Sequence, residues 1–157
     1  MLSVLASINN QNFVFCLIYI PPNSELELHN KIISYLKTLK DYNNVIVFGD
    51  LNLPDLDWDL YSGHSNISQA YADLAFDLNF IQLVSEPTHI GGNILDVILT
   101  NTDNIYGINV QSNLPVYLSS DHFIVSFYID NSVTRSSKSS SQSKIIHNYS
   151  RADHTNC

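Results

Sequence analysis

The sequence predicts an α/β domain, and three observations carry that reading. Residues 45–48 and 94–99 are short apolar runs rich in β-branched residues, the pattern of strands buried on both faces. Two further segments, 24–40 and 68–78, carry apolar residues at helical spacing. Clusters of Gly, Pro, Asn and Asp punctuate the runs as turns do. At 157 residues and 45% hydrophobic, the chain is long enough for one domain with a buried core.

Residues 3–8 and 13–20 are β-rich runs joined by Asn9-Asn10-Gln11-Asn12, which reads as a hairpin. The second run stops at Pro21-Pro22, which cannot donate ladder hydrogen bonds, so Tyr19 falls at a strand end near a sheet edge. Ser24 and Glu27 have capping-box spacing, and Leu28, Ile32, Tyr35 or Leu36, and Leu39 recur at helical period. Lys37 and Lys40 sit where the dipole of this helix, 24–40, favours cations. After the 45–48 strand and a polar loop, a second helix over 68–78 sets Tyr71, Leu74, Ala75 and Leu78 on one face. A short strand follows at 80–84, then Glu86-Pro87-Thr88-His89, the turn Gly91-Gly92-Asn93 and the 94–99 strand. A hairpin from 105–110 to 116–118 is a weaker pattern. The last strand, 123–129, alternates Phe123, Val125 and Phe127 against Ile124, Ser126 and Tyr128. Seven of the thirteen residues in 131–143 are Ser, a flexible linker composition, so 1–130 is expected to be the domain and 131–157 a tail.

Charge and cysteine content exclude several classes. The formal net charge is −8, but residues 1–130 hold three basic side chains and fourteen acidic ones, a net of −11. Such a body is a poor match for a phosphate backbone unless divalent cations or a basic part elsewhere offset the repulsion. Two cysteines, Cys16 and Cys157, make no disulfide framework, and a reducing, intracellular compartment is the simpler expectation. The 13–20 run lacks the positive charge of a signal peptide, and no stretch is long enough to span a membrane.

The polar residues at strand ends carry the chemistry. The 45–48 strand breaks at Gly49 into Asp50-Leu51-Asn52, where alternation points Asp50 and Asn52 the same way. A carboxylate beside a carboxamide at the mouth of a buried strand can take a proton and hold an oxyanion or a metal-bound water; the plainer alternative is a turn. Asp96 intrudes into an apolar strand, where an unpaired carboxylate costs several kcal/mol. It needs a partner, and His122, which opens the last strand after Asp121, is the candidate. An Asp–His pair fixes the imidazole tautomer and raises its pKa. The other histidines, His64, His89, His147 and His154, show no metal-ligand spacing and read as loop residues. Asp55, Asp57 and Asp59 lack the Gly and distal Glu of an EF-hand and read as a solvated loop face. Tyr61, Tyr71, Tyr106, Tyr117 and Tyr128 read as packing or surface residues rather than base-stacking platforms.

IYIPPN, VIVFGDLN, EPTHIGGNILDVILTN and SSDHFIVSF resemble, in this order, the motifs of the endonuclease/exonuclease/phosphatase superfamily. They are most similar to the apurinic-type endonuclease domain of non-LTR (LINE-like) retrotransposon polyproteins. The resemblance runs from Ser3 to Ile129, and HNYSRAD at 147–153 looks like the start of the segment joining that domain to a reverse transcriptase. It implies a deoxyribonuclease-like four-layer fold, of which this chain is the C-terminal half: part of a two-sheet β-sandwich with helices outside. It implies roles as well. Tyr19 would contact the scissile phosphate, Asp50 would activate water and share a divalent ion with Asp121, and Asn52 would hold the nucleophile or phosphate oxygens. Asp96 would orient His122, which would stabilise transition-state charge. Mg²⁺ or Mn²⁺ is the implied cofactor, duplex DNA and a downstream reverse transcriptase the implied partners, and the nucleus the implied location.

The family's earlier half carries a metal-binding Glu that no residue before Tyr19 supplies here. Three readings therefore stand: an impaired Mg²⁺-dependent DNA endonuclease fragment, a phosphatase or phosphodiesterase of the same superfamily, and a non-catalytic remnant. A half-sandwich is also expected to expose apolar surface along 3–20 or along 94–99.

Overall fold

A computed structural model describes residues 1–112 and 120–130. A hairpin opens the chain: β1 (Leu2–Ile8) turns through Asn9 and Asn10, both at positive φ, into β2 (Gln11–Tyr19). Ile8 pairs with Gln11, so this is a two-residue loop, and two left-handed residues are what its primed turn demands. Next come α1 (Leu26–Lys37) and β3 (Val45–Asp50), then the two-residue strands β4 (Leu56–Asp57) and β5 (Ser62–Gly63). After them follow α2 (Asn66–Asp77), β6 (Ile81–Gln82), β7 (Asp96–Thr100), β8 (Ile105–Gln111) and β9 (Ile124–Ile129).

Five strands form one sheet in the order β1-β2-β3-β7-β6, with β2 and β3 parallel and the other neighbours antiparallel. Alternation divides its side chains between two cores. Val14, Cys16, Ile18, Val45, Val47, Val97 and Leu99 face the helices, meeting Ile32 and Leu36 of α1 and Tyr71, Leu74 and Ala75 of α2. Phe13, Ile46 and Ile98 face the other way, against Val125, Phe127 and Ile129 of the two-stranded β8–β9 sheet. Phe48 and Phe127 join the sheets edge to face, 5.9 Å between ring centroids. The described residues thus make three layers, helices on one sheet and a second sheet on its other face, the expected part of a two-sheet sandwich with outer helices.

Several local expectations are corrected. The Ser24–Glu27 capping box does not form: α1 starts at Leu26 behind Glu25, whose side chain makes no cap bond. Ser24 Oγ donates instead to the Pro21 carbonyl, 2.6 Å away, and Glu27 pairs with Lys31 on the exposed surface. The inward face of α1 carries His29, Ile32 and Leu36, while Leu28 is exposed. Lys40 lies past the helix end. Helix α2 begins two residues earlier than expected because Ser65 Oγ accepts the Ser68 N–H and caps it. Strand β8 pairs with β9; the 116–118 segment expected beside it lies outside the described residues, as does the 131–157 tail. Of the two segments expected to expose apolar surface, β1 does so, with Leu2, Val4 and Leu5 open to solvent, whereas Leu95, Val97, Ile98 and Leu99 are buried. No helix among the described residues is long and apolar enough to cross a membrane.

Candidate active site

Register places the polar strand ends side by side. Tyr19 of β2 stands opposite Asp50 of β3, and Asp50 stands opposite Asp96 of β7. All three project from the face that carries Phe48 and Ile98, toward the second sheet. Gly49 permits this close approach: at φ +128 it lies against Ile18, and a Cβ there would sit 2.0 Å from the Ile18 carbonyl oxygen. After Asp50 the chain turns sharply. Asn52 takes a positive φ of 52° and donates its backbone N–H to Asp50 Oδ1 at 2.8 Å, a local bond that Asp is suited to accept.

The fourth side comes from the far end of the chain. Segment 88–90 pairs with 121–123: Phe123 N–H donates to the Thr88 carbonyl at 2.7 Å and Ile90 N–H to the Asp121 carbonyl at 2.9 Å. This isolated antiparallel bridge, His89 opposite His122, fixes where β9 starts. Thr88 itself is fully buried, and its Oγ1 accepts the N–H groups of Leu95 and Asp96, both at 3.0 Å. One threonine thereby ties the loop, β7 and the start of β9 together.

His122 consequently lies between the two carboxylates. Its Nδ1 is 2.9 Å from Asp96 Oδ2, and its Nε2 is 3.9 Å from Asp50 Oδ2. Asp96 accepts the Nδ1–H and so fixes the ring's tautomer and orientation. Partial burial lowers the imidazole's pKa, but the bond to Asp96 and the charges of Asp96, Asp50 and Asp121 outweigh it, for a net rise. Burial raises the Asp50 carboxyl, the Asn52 N–H works against this, and the Asp96 charge adds to the rise. Asp121 is exposed and held low by its own backbone N–H and by His89. These groups line an open cleft of about 810 Å³, with Tyr19, Asn52 and Asn93 on its walls. Tyr19, Asp50, Asn52, Asp96, Asp121 and His122 are therefore together, as the strand-end pattern anticipates.

A family model described as endonuclease-reverse transcriptase matches residues 13–126, which contain every one of these side chains. The chain belongs to that family. A search of curated proteins returns no match. Among solved structures, the endonuclease domain of TRAS1, a telomere-specific non-LTR retrotransposon, is similar with a TM-score of 0.63 at 19% identity, over 81% of this chain and 60% of that one. A 3′ phosphatase, NExo from Neisseria, bound to product DNA hairpin, is similar with a TM-score of 0.53 at 13% identity, over 82% of this chain and 64% of that one. At these identities the likeness is one of fold, and the family member described here spans about 60% of the TRAS1 domain's length.

One member of the cleft is not the loop residue the sequence suggests. His89 points into it, with Nε2 3.4 Å from Asp121 Oδ2 and its ring edge-on to His122 at 5.1 Å. Ligand atoms of His89, Asp121 and His122 lie within 4.8 Å of one another, close enough to consider a shared ion. The Asp55–Asp59 loop is structural instead: Asp55 accepts from Ser65 N–H and Ser68 Oγ, and Asp57 from the N–H groups of Asp59 and Leu60.

Proposed function

We propose that this cleft hydrolyses a phosphodiester bond of duplex DNA, as part of a retroelement endonuclease that works beside a reverse transcriptase. The observation that supports this most is one imidazole placed between two carboxylates, bonded to Asp96 and facing Asp50. Phosphodiester hydrolysis needs a water that loses its proton and a donor for the charge that grows on the phosphate oxygens. Asp50 is the group to take the proton. Burial moves its pKa toward the range of a working base, and Asn52 N–H occupies Oδ1, leaving Oδ2 toward the cleft. His122, with Nδ1–H committed to Asp96, presents Nε2–H to the phosphate as an imidazolium. The Asn52 carboxamide can hold the water or a phosphate oxygen, and the exposed Tyr19 hydroxyl at the strand end can donate to the phosphate.

The donor chemistry also fits a divalent cation, Mg²⁺ or Mn²⁺. Asp50 and Asp121 are hard oxygen ligands on one cleft, and such ions take one or two protein carboxylates with water and phosphate completing the shell. Bound there, the ion supplies charge neutralisation at the phosphate oxygens. Asp96 is committed to His122, and of the two cleft carboxylates that remain among the described residues Asp121 is 69% exposed, where water competes for the ion and weakens its hold. A weakly held cation that forfeits roughly 4 kcal/mol slows the reaction about a thousandfold. The 157-residue chain alone is therefore expected to nick supercoiled plasmid in Mg²⁺ no faster than its His122→Ala variant. Fused behind the N-terminal part of a related endonuclease domain, it should nick, and His122→Ala should abolish that activity. Hydrolysis of inositol phosphates or a generic bis-ester, without DNA nicking, would favour a phosphatase instead. No hydrolysis by the fusion in either assay would leave the cleft non-catalytic.

A further inference from the structure

We propose that His89 is a positioning residue, holding the Asp121 carboxylate in the orientation that takes the cation; this rests on the reading of Asp121 as a cation ligand. The tautomer decides between this role and direct ligation. Gly91 N–H donates to His89 Nδ1 at 2.9 Å, so Nδ1 carries a lone pair and the ring proton of the neutral imidazole is on Nε2. That Nε2–H faces Asp121 Oδ2 at 3.4 Å. A metal on Nε2 would have to displace this proton and break the Gly91 bond, whereas donation to Asp121 uses the ring as it stands. The same arrangement, an imidazole N–H fixing a carboxylate that carries the ion, is how surrounding groups orient metal ligands generally.

The seat of the ring is built from several directions. The backbone bridge between His89 and His122 sets its distance from the second sheet. The His122 ring packs against it at 71° between planes. Gly91 leaves room beneath it, since a Cβ there would lie 2.9 Å from His89 Nδ1. The His89 side chain is only 23% exposed, while that of Asp121 is 69% exposed and, besides His89, accepts its own backbone N–H. His89 is thus the enclosed partner of an exposed carboxylate.

The test is Mn²⁺ binding by the ¹⁵N-labelled chain, with no substrate present, read from paramagnetic broadening of the backbone amides of residues 120–123. Removing a group that orients a metal ligand costs on the order of tenfold or more in affinity, so His89→Ala should weaken binding by about that factor. His89→Gln keeps an N–H donor at the position of Nε2 and should restore most of the affinity, which a merely structural role would not predict. Asp121→Ala should lose the site. Unchanged affinity in His89→Ala with loss in Asp121→Ala would overturn the role of His89 and leave the cation reading intact. Equal loss in His89→Ala and His89→Gln would also overturn it, because donation is the property Gln retains. No Mn²⁺ broadening in the parent chain, or none lost in Asp121→Ala, would remove the cation reading and this inference with it.

Discussion

Two residues concentrate the energetics of the cleft. His122 is pulled in opposite directions, with burial disfavouring its charge and Asp96, Asp50 and Asp121 favouring it more strongly. Its ring-proton titration should therefore show a midpoint above its ordinary value of 6.5, and Asp96→Asn should lower that midpoint. A midpoint indifferent to Asp96→Asn would mean the 2.9 Å contact carries no charge coupling. The sign for stability follows from a raised folded-state value: this contribution is full below the unfolded pKa and is lost as pH rises through the folded one. Thr88 matters through hydrogen bonds alone. Thr88→Val keeps the shape but leaves the buried Leu95 N–H and the half-buried Asp96 N–H without their acceptor. At about 1–3 kcal/mol for each unsatisfied group, the variant should lose roughly 2–6 kcal/mol in urea unfolding. A loss below about 0.5 kcal/mol would show that β7 finds other partners.

Among the elements, α1 and α2 meet at a buried histidine. His29 is 4% exposed, with Nδ1 3.4 Å from the Tyr71 hydroxyl, and burial lowers its pKa from the ordinary 6.5. A histidine buried neutral adds stability above its unfolded pKa and loses it as pH falls below that value. Between about pH 7 and pH 5, the denaturant midpoint of the parent chain should fall by more than that of His29→Leu; parallel curves would refute it. The same residue shows where sequence pattern stops. Ile32, Leu36 and the Tyr71–Leu74–Ala75 face are legible because apolar residues repeat at helical spacing. His29 takes the inward position expected for Leu28 because its polar edge finds Tyr71, a partner 42 residues away that no local spacing encodes. Asp96 and His122 were legible for the opposite reason: a carboxylate inside an apolar strand demands a partner. His89 gave no such signal, since its bond to Asp121 exists only because segments 88–90 and 121–123 pair. The Ser24–Glu27 box does not form because α1 starts at Leu26 with Glu25 in the cap position, one residue beyond Ser24, whose hydroxyl donates back to the Pro21 carbonyl.

Over the whole molecule, charge and exposed apolar surface oppose each other. β1 ends the five-stranded sheet, and one of its edges has no strand partner among the described residues. Leu2, Val4 and Leu5 on it are 61%, 49% and 64% exposed, and Leu17 beside it is 44% exposed. A flat apolar edge of this kind is a template for pairing with another chain. The net charge of −8 works against such pairing, but its reach is set by salt, with a screening length of about 8 Å at physiological ionic strength. Two strands that pair approach to about 4.8 Å, so repulsion slows encounter without cancelling the apolar gain at contact. The chain should therefore bind an apolar-surface dye and sediment as larger species when concentrated, and added salt should promote this. Val4→Lys with Leu5→Lys places two charges on the edge and should reduce dye binding and self-association, while the cleft, built from the last residues of β2 and β3 and the first of β7, stays intact. A parent chain that stays monomeric in high salt, without dye binding, would show that β1 is covered in solution.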